Sequence, residues 1–150
     1  MKTCPRNAGV GYSDKSQIPK GPNAKHDAEG VLEILPDLEQ GLTDIEGFSH
    51  LFVLWAFDRA DGFDLMATPP TDTEPHGVFA ARAPRRPKPI ALTVVELLGR
   101  EGNRLYVRGV DMLDGTPILD IKSTCRAYPK KNCQRSASAQ RFTEAIPPSG

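Results

Sequence analysis

The stretch IALTVVELLGREGNRLYVRGVDML, Ile90 to Leu113, decides the fold. Its second part alternates, with Leu105, Val107 and Gly109 on one side and Tyr106 and Arg108 on the other. A period of two places successive side chains on opposite faces of a strand. Ile90 to Leu98 reads as the preceding strand, and a turn at Arg100 to Asn103 pairs the two as a hairpin. Downstream, GTPILDIKS supplies one more strand near Pro117 to Ile121.

Upstream, FSHLFVLWAFD (Phe48 to Asp58) is the most apolar run, bounded by Gly47 and the polar Arg59–Gly62 stretch. It reads as a strand buried on both faces. A long loop follows from Arg59 to Pro75, and a loop of that length in a compact domain is usually functional or disordered. A short strand, Gly77 to Ala81, then runs into an Arg/Pro segment. Ala28 to Pro36 reads as a strand half-exposed on each side, with Leu32 and Ile34 opposite Val31 and Leu35. DLEQGLTDIEGF, Asp37 to Phe48, has Leu38, Leu42 and Ile45 at helical spacing, cut short by Gly41 and Gly47. Another short strand is expected at Gly9 to Tyr12.

Short strands, long loops, brief helical turns and no helix long enough to cover a sheet imply an all-β fold. Closure into a small barrel is expected, because an open sheet leaves edges and one apolar face wet. Fourteen prolines and thirteen glycines in 150 residues also argue against a helical bundle. The barrel domain is expected over residues 1–122, with a polar, poorly ordered tail over 123–150.

Nineteen basic and nineteen acidic side chains cancel, so any nucleic-acid contact must come from a local patch. No apolar run approaches a membrane span, and the N-terminus lacks an apolar signal region, which points to a cytoplasmic protein. Cys4, Cys125 and Cys133 read as free thiols, although a Cys125–Cys133 bridge is sterically allowed. His26, His50 and His76 are far apart and no CxxC or HExxH occurs, so no metal site is expected. His50 reads as a near-core histidine held by a hydrogen bond. GxSxG, GxGxxG and Walker loops are also missing, which removes the usual dinucleotide-fold route to a nucleotide-like ligand.

Three segments look over-specified for packing. FAARAPRRPKP (Phe79 to Pro89) clusters Arg82, Arg85, Arg86 and Lys88 on a backbone stiffened by Pro84, Pro87 and Pro89, which suits phosphate or carboxylate recognition. It can equally be a solvated basic loop. VDMLDGTPILD (Val110 to Asp120) carries Asp111, Asp114 and Asp120 around an Asp-Gly turn. That is either a plain hairpin turn or a cradle for a ligand's amine or ribose hydroxyls. IPKGP, Ile18 to Pro22, is a weaker Pro-Gly turn with one Lys.

Taken in order, GLTDIEGFSHLFVLWAFD, HGVFAARAPRRPKPIALTVVELLG and LYVRGVDMLDGTPILDIK resemble the TsaA-like family, also called the TrmO or YaeB type. The likeness covers about residues 18 to 122. It implies a single-sheeted β-barrel that binds S-adenosylmethionine, often as a homodimer. It further implies methylation of N6 of threonylcarbamoyl-modified adenosine beside a tRNA anticodon. Carried across residue by residue, the cofactor positions are Lys20, Gly21 and Pro22 in the first loop, Phe57 and Asp58 at the strand end, Arg82 in the basic loop, and Leu113, Asp114, Gly115 and Thr116 in the turn. Phe57 would offer an apolar surface and Arg82 would pair with the donor's carboxylate. Asp58 and Asp114 are the candidate proton acceptors. Arg85, Arg86 and Lys88 would hold RNA phosphates, with Lys130 and Lys131 of the tail. Departures from the family pattern include Asp58 in place of a histidine, Pro19-Lys20-Gly21 in place of PRQ, and Ala81 and Ala83 in place of Thr and Ser. The other readings left open are methylation of a small-molecule acceptor and a non-enzymatic S-adenosylmethionine-binding regulatory module.

Overall fold

A computed structural model describes residues 6–7, 15–18 and 27–124. The described strands are β1 (Arg6–Asn7), β2 (Glu29–Glu33), β3 (His50–Ala56), β4 (Met66–Ala67), β5 (His76–Gly77), β6 (Ile90–Glu101), β7 (Arg104–Arg108) and β8 (Ile118–Ser123). Six of them form an antiparallel sheet in the order β1-β2-β7-β6-β3-β8, and β4 pairs with β5 separately. The helical elements among these residues are short 3-10 turns, including Pro36–Leu42 and Ile45–Gly47. The fold is therefore all-β. No pairing among the described residues joins β1 to β8, so the expected barrel closure is not part of this ladder.

The β6–β7 hairpin follows the alternation. Leu105 and Val107 are fully buried, and Arg104, Tyr106 and Arg108 face outward. Gly102 takes a left-handed conformation (φ 59°) in the turn, where a Cβ would be strained, and Arg100 Nε donates to its carbonyl at 2.8 Å. The inner face of the sheet gathers Leu32, Leu51, Val53, Trp55, Val95, Leu97, Leu105, Val107 and Ile118 into one core. Leu42 from the 3-10 turn and Val110 and Met112 from the segment after β7 are buried in the same core. These short segments exclude water from the inner face, so no helical layer is needed.

Four expectations need correction. β3 is not buried on both faces: Leu51, Val53 and Trp55 face the core, while Phe52, Leu54 and Ala56 are only half-covered, because no layer of described residues lies on the outer side. β2 is likewise one-sided, with Leu32 and Ile34 buried and Val31 and Leu35 intermediate. The Gly77–Ala81 strand shrinks to β5, because Val78–Ala80 turns into a 3-10 helix that buries Val78. The Arg59–Pro75 loop carries β4, which pairs Met66 with Gly77 and Ala67 with His76.

The outer face divides in two. Across β2, β7 and β6, Glu29, Arg108 and Glu96 lie side by side, with Arg108 bonded to both carboxylates. Across β6 and β3, by contrast, Leu92 lies beside Leu54 and Val94 beside Phe52. His50 is half-buried, its Nδ1 3.0 Å from Ser49 Oγ. Thr124 donates its hydroxyl to the His50 carbonyl at 2.8 Å, so the sheet's hydrogen bonding extends two residues past position 122. Gly9 to Tyr12, the three cysteines, His26, Lys130, Lys131 and the rest of the 125–150 tail lie outside the described residues.

Candidate functional site

Strand register brings the over-specified segments together. β3 runs antiparallel to both of its neighbours, so its C-terminal end meets the N-terminal ends of β6 and β8. The residues just before β6 are the Arg/Pro segment, and those just before β8 are the Asp-Gly turn. Two backbone bonds seal the junction. Phe57 N–H donates to the Pro89 carbonyl at 2.8 Å, and Ala56 N–H donates to the Pro117 carbonyl at 3.1 Å. Phe57 thus stands between the two segments, at one end of the sheet.

The Phe57 ring is half-buried and meets Trp55 edge-on, with ring centroids 4.5 Å apart. That contact holds the ring's orientation while leaving part of it exposed for a ligand. Asp58 is exposed on the next residue. On one side, Leu113 to Thr116 form a tight turn in which Thr116 N–H donates to the Leu113 carbonyl at 3.2 Å. Gly115 sits at φ 77°, and Thr116 is buried. On the other side, Arg82 is exposed and reaches the Leu92 carbonyl of β6 at 3.4 Å, a long bond that a carboxylate could displace. Lys20, Gly21 and Pro22 lie outside the described residues.

The basic loop is less available than its composition suggests. Arg85 pairs with Asp64, Nε to Oδ2 at 2.7 Å, and this hydrogen bond raises the guanidinium pKa above its ordinary value. Asp64 N–H in turn donates to the Arg85 carbonyl at 3.3 Å, so the pair ties the 61–65 loop to the Arg/Pro segment. Arg86 Nη1 donates to the Ala81 carbonyl at 2.8 Å. Lys88 is exposed with no ion-pair partner among the described residues.

Arg59, Trp55 and Thr93 also brace this end of the sheet although no local pattern singles them out, the last two together with Asp111 of the Asp-Gly segment. Arg59 Nη2 donates to the Asp114 carbonyl at 2.6 Å, bracing the turn from the Phe57 side. Beneath, Trp55 Nε1 donates to Thr93 Oγ1 at 2.9 Å, and Thr93 Oγ1 donates to Asp111 Oδ1 at 2.5 Å. The assembled groups suit a ligand with an apolar or aromatic body, a hydrogen-bonding edge and a carboxylate. Those are the features of S-adenosylmethionine, which the Phe57 face, the turn backbone and Arg82 could hold respectively. Among the described residues no group of three or more His, Cys, Asp or Glu could hold a metal ion, and no helix is long and apolar enough to cross a membrane.

Comparison with known proteins gives a consistent family. The model of the tRNA-methyltransferase O N-terminal domain matches residues 9–128. A probable S-adenosyl-L-methionine-binding protein of Pyrococcus abyssi is 46% identical over 125 residues, spanning 81% of this chain and 68% of the relative. A tRNA (adenine(37)-N6)-methyltransferase of Mus musculus is 36% identical over 131 residues, 79% of this chain and 30% of the mouse protein. The crystal structure of TrmO from Pseudomonas aeruginosa superposes with a TM-score of 0.65 at 33% identity, covering 89% of this chain and 62% of that one. The chain thus spans less than two thirds of the solved structure and under a third of the mouse enzyme.

Proposed function

Since the chain belongs to the tRNA-methyltransferase O N-terminal domain family, a family of S-adenosylmethionine-dependent methyltransferases, we propose that it methylates tRNA, its acceptor the N6 nitrogen of threonylcarbamoyladenosine beside the anticodon. The observation that supports this reading is the junction at Phe57, where backbone bonds to Pro89 and Pro117 bring the Arg82 segment and the Leu113–Thr116 turn to one strand end.

The donor, when bound, supplies an electrophilic methyl group on a sulfonium, and in-line displacement needs chiefly correct placement of carbon and nitrogen. In this reading Phe57 packs against the donor's apolar body, Arg82 pairs with its carboxylate, and the turn backbone bonds its polar edge. Lys20, Gly21 and Pro22 are assigned to the same donor by family position. Asp58, exposed beside Phe57, is the assigned acceptor of the N6 proton, with Asp114 the alternative. Lys88 is assigned to an RNA phosphate. Arg85 and Arg86 would join it only by exchanging Asp64 and the Ala81 carbonyl for phosphate oxygens. Homodimerisation and closure of the sheet into a barrel are part of the same proposal. The half-covered Leu54, Phe52, Leu92 and Val94 face is where two chains would meet. A cytoplasmic location is part of the same proposal.

The engagement of Arg85 and Arg86 within their own loop favours one other reading, a methyltransferase for a small acceptor that needs no phosphate-binding face. Mass spectrometry of tRNA nucleosides from a deletion strain separates the two. Loss of the methylated threonylcarbamoyladenosine supports the tRNA assignment, and an unchanged pool overturns it. Calorimetry with S-adenosylmethionine tests the donor site that both readings share.

A further inference from the structure

A polar thread crosses the core beneath the donor site. Trp55 lies on β3, Thr93 on β6 and Asp111 on the segment leading to the turn, and these are the three elements that lead into Phe57, follow Arg82 and lead into Leu113–Thr116. Its direction is chemically fixed. An indole N–H can only donate and a carboxylate can only accept, so the Thr93 hydroxyl accepts the hydrogen bond from Trp55 at 2.9 Å and donates its own to Asp111 at 2.5 Å.

Packing explains none of the polar choices. Thr93 faces the core on the same side of β6 as the fully buried Val95 and Leu97, and a valine would fill that position. Trp55 is 6% exposed, and a phenylalanine would keep its edge contact with Phe57. Asp111 stands between Val110 and Met112, both at 0% exposure, which anchor its backbone in the core on either side. A polar set that packing does not require, here with Trp55 and Thr93 buried and Asp111 half-buried, can select one arrangement among several similar packings.

We infer that Thr93 is a positioning residue for donor binding: by joining Trp55 to Asp111, it sets the Leu113–Thr116 turn against the face of Phe57. Arg59 braces the same turn at the Asp114 carbonyl from outside, so the thread is the inner of two restraints. The inference rests on the donor site proposed above. It adds that the site's affinity depends on a hydroxyl that does not touch the ligand.

The test measures S-adenosylmethionine affinity by calorimetry on the full chain, with thermal melting of each variant alongside. Thr93→Val should weaken binding about tenfold, and Thr93→Ser, which restores the hydroxyl, should stay within about twofold of the parent. Thr93→Val combined with Trp55→Phe removes the donor as well as its acceptor, which leaves no buried indole N–H unpaired. That double variant should melt within a few degrees of the parent and still bind the donor about tenfold more weakly. Unchanged affinity in both Val-containing proteins overturns the inference while leaving the donor site standing. So does a Ser variant as weak as the Val variant, or a loss of affinity confined to variants already unfolding at the assay temperature. A parent protein that gives no binding heat overturns the donor site and this inference with it.

Discussion

Removing the Arg59 guanidinium asks whether the Leu113–Thr116 turn is held in place for a ligand. Its Nη2 lies 2.6 Å from the Asp114 carbonyl, a short charge-assisted contact between residues 55 positions apart. A hydrogen bond to a charged group contributes about 1.5–3 kcal/mol when sheltered. Arg59 and Asp114 are both exposed, so water competes and about 1 kcal/mol remains, or about fivefold in a dissociation constant. Arg59→Ala should therefore weaken S-adenosylmethionine binding about fivefold in calorimetry. The amide resonances of Asp114 and Gly115 should shift, while those of the β6–β7 turn should not. Arg59→Lys, with a point charge in place of the planar fork, should recover only part of the loss. Equal affinity in Arg59→Ala despite shifted turn resonances would refute the reasoning, because the turn would then move without the ligand noticing.

Gly115→Ala places a Cβ at φ 77° with Arg59 Nη2 at 3.6 Å, an ordinary contact, so the cost is backbone strain of about 1–2 kcal/mol. Chemical denaturation should show that loss, and an unchanged midpoint would mean the turn is not held left-handed. Leu105→Ala removes a fully buried side chain at the centre of the core, opposite Leu32 in register, and should cost about 3 kcal/mol of unfolding free energy. A loss below about 1 kcal/mol would contradict its placement. Asp72 accepts backbone bonds from Glu74 and Thr73 and faces His76 Nε2 at 2.8 Å, and the Glu74 bond is the first cause of a pKa below the ordinary value of 3.8. A lowered folded-state pKa means these Asp72 bonds are fully stabilising above the unfolded carboxylate's pKa, and that stability is lost as pH falls through the lower folded value. NMR titration should place the Asp72 transition on the acid side of the free carboxylate, and an ordinary value would contradict the bonds from Thr73 and Glu74.

What was legible in the sequence had a local signature. The Leu105/Val107 alternation and the Gly102 turn identify the β6–β7 hairpin, and the Asp-Gly and Arg/Pro segments announce themselves by residue type. β3 misled because a continuous apolar run looks the same whether its second face is covered or only half-covered. The Gly77–Ala81 strand misled because a short Val-Phe-Ala stretch fits a 3-10 turn as well once Val78 can be buried by it. Bonds that order the site were out of reach for another reason. Arg85 with Asp64, Arg59 with Asp114 and Trp55 with Thr93 span 21, 55 and 38 positions, and no local pattern encodes a partner at such a distance. The pairing matters most for Arg85, since a cation that reads as free for phosphate is already bonded to a carboxylate.

Donor binding at the end of the sheet, where β3 stops and β6 and β8 begin, underlies every role assigned above. Backbone amide mapping of the isotope-labelled full chain during titration with S-adenosylmethionine tests this directly. Saturable shifts are expected at Phe57, Asp58, Arg82, Leu92 and Leu113–Thr116, with Gly102 and Asn103 at the far end of the β6–β7 hairpin unmoved. Shifts centred on that hairpin, or none at all near Phe57 at saturating ligand, would contradict donor binding at this end.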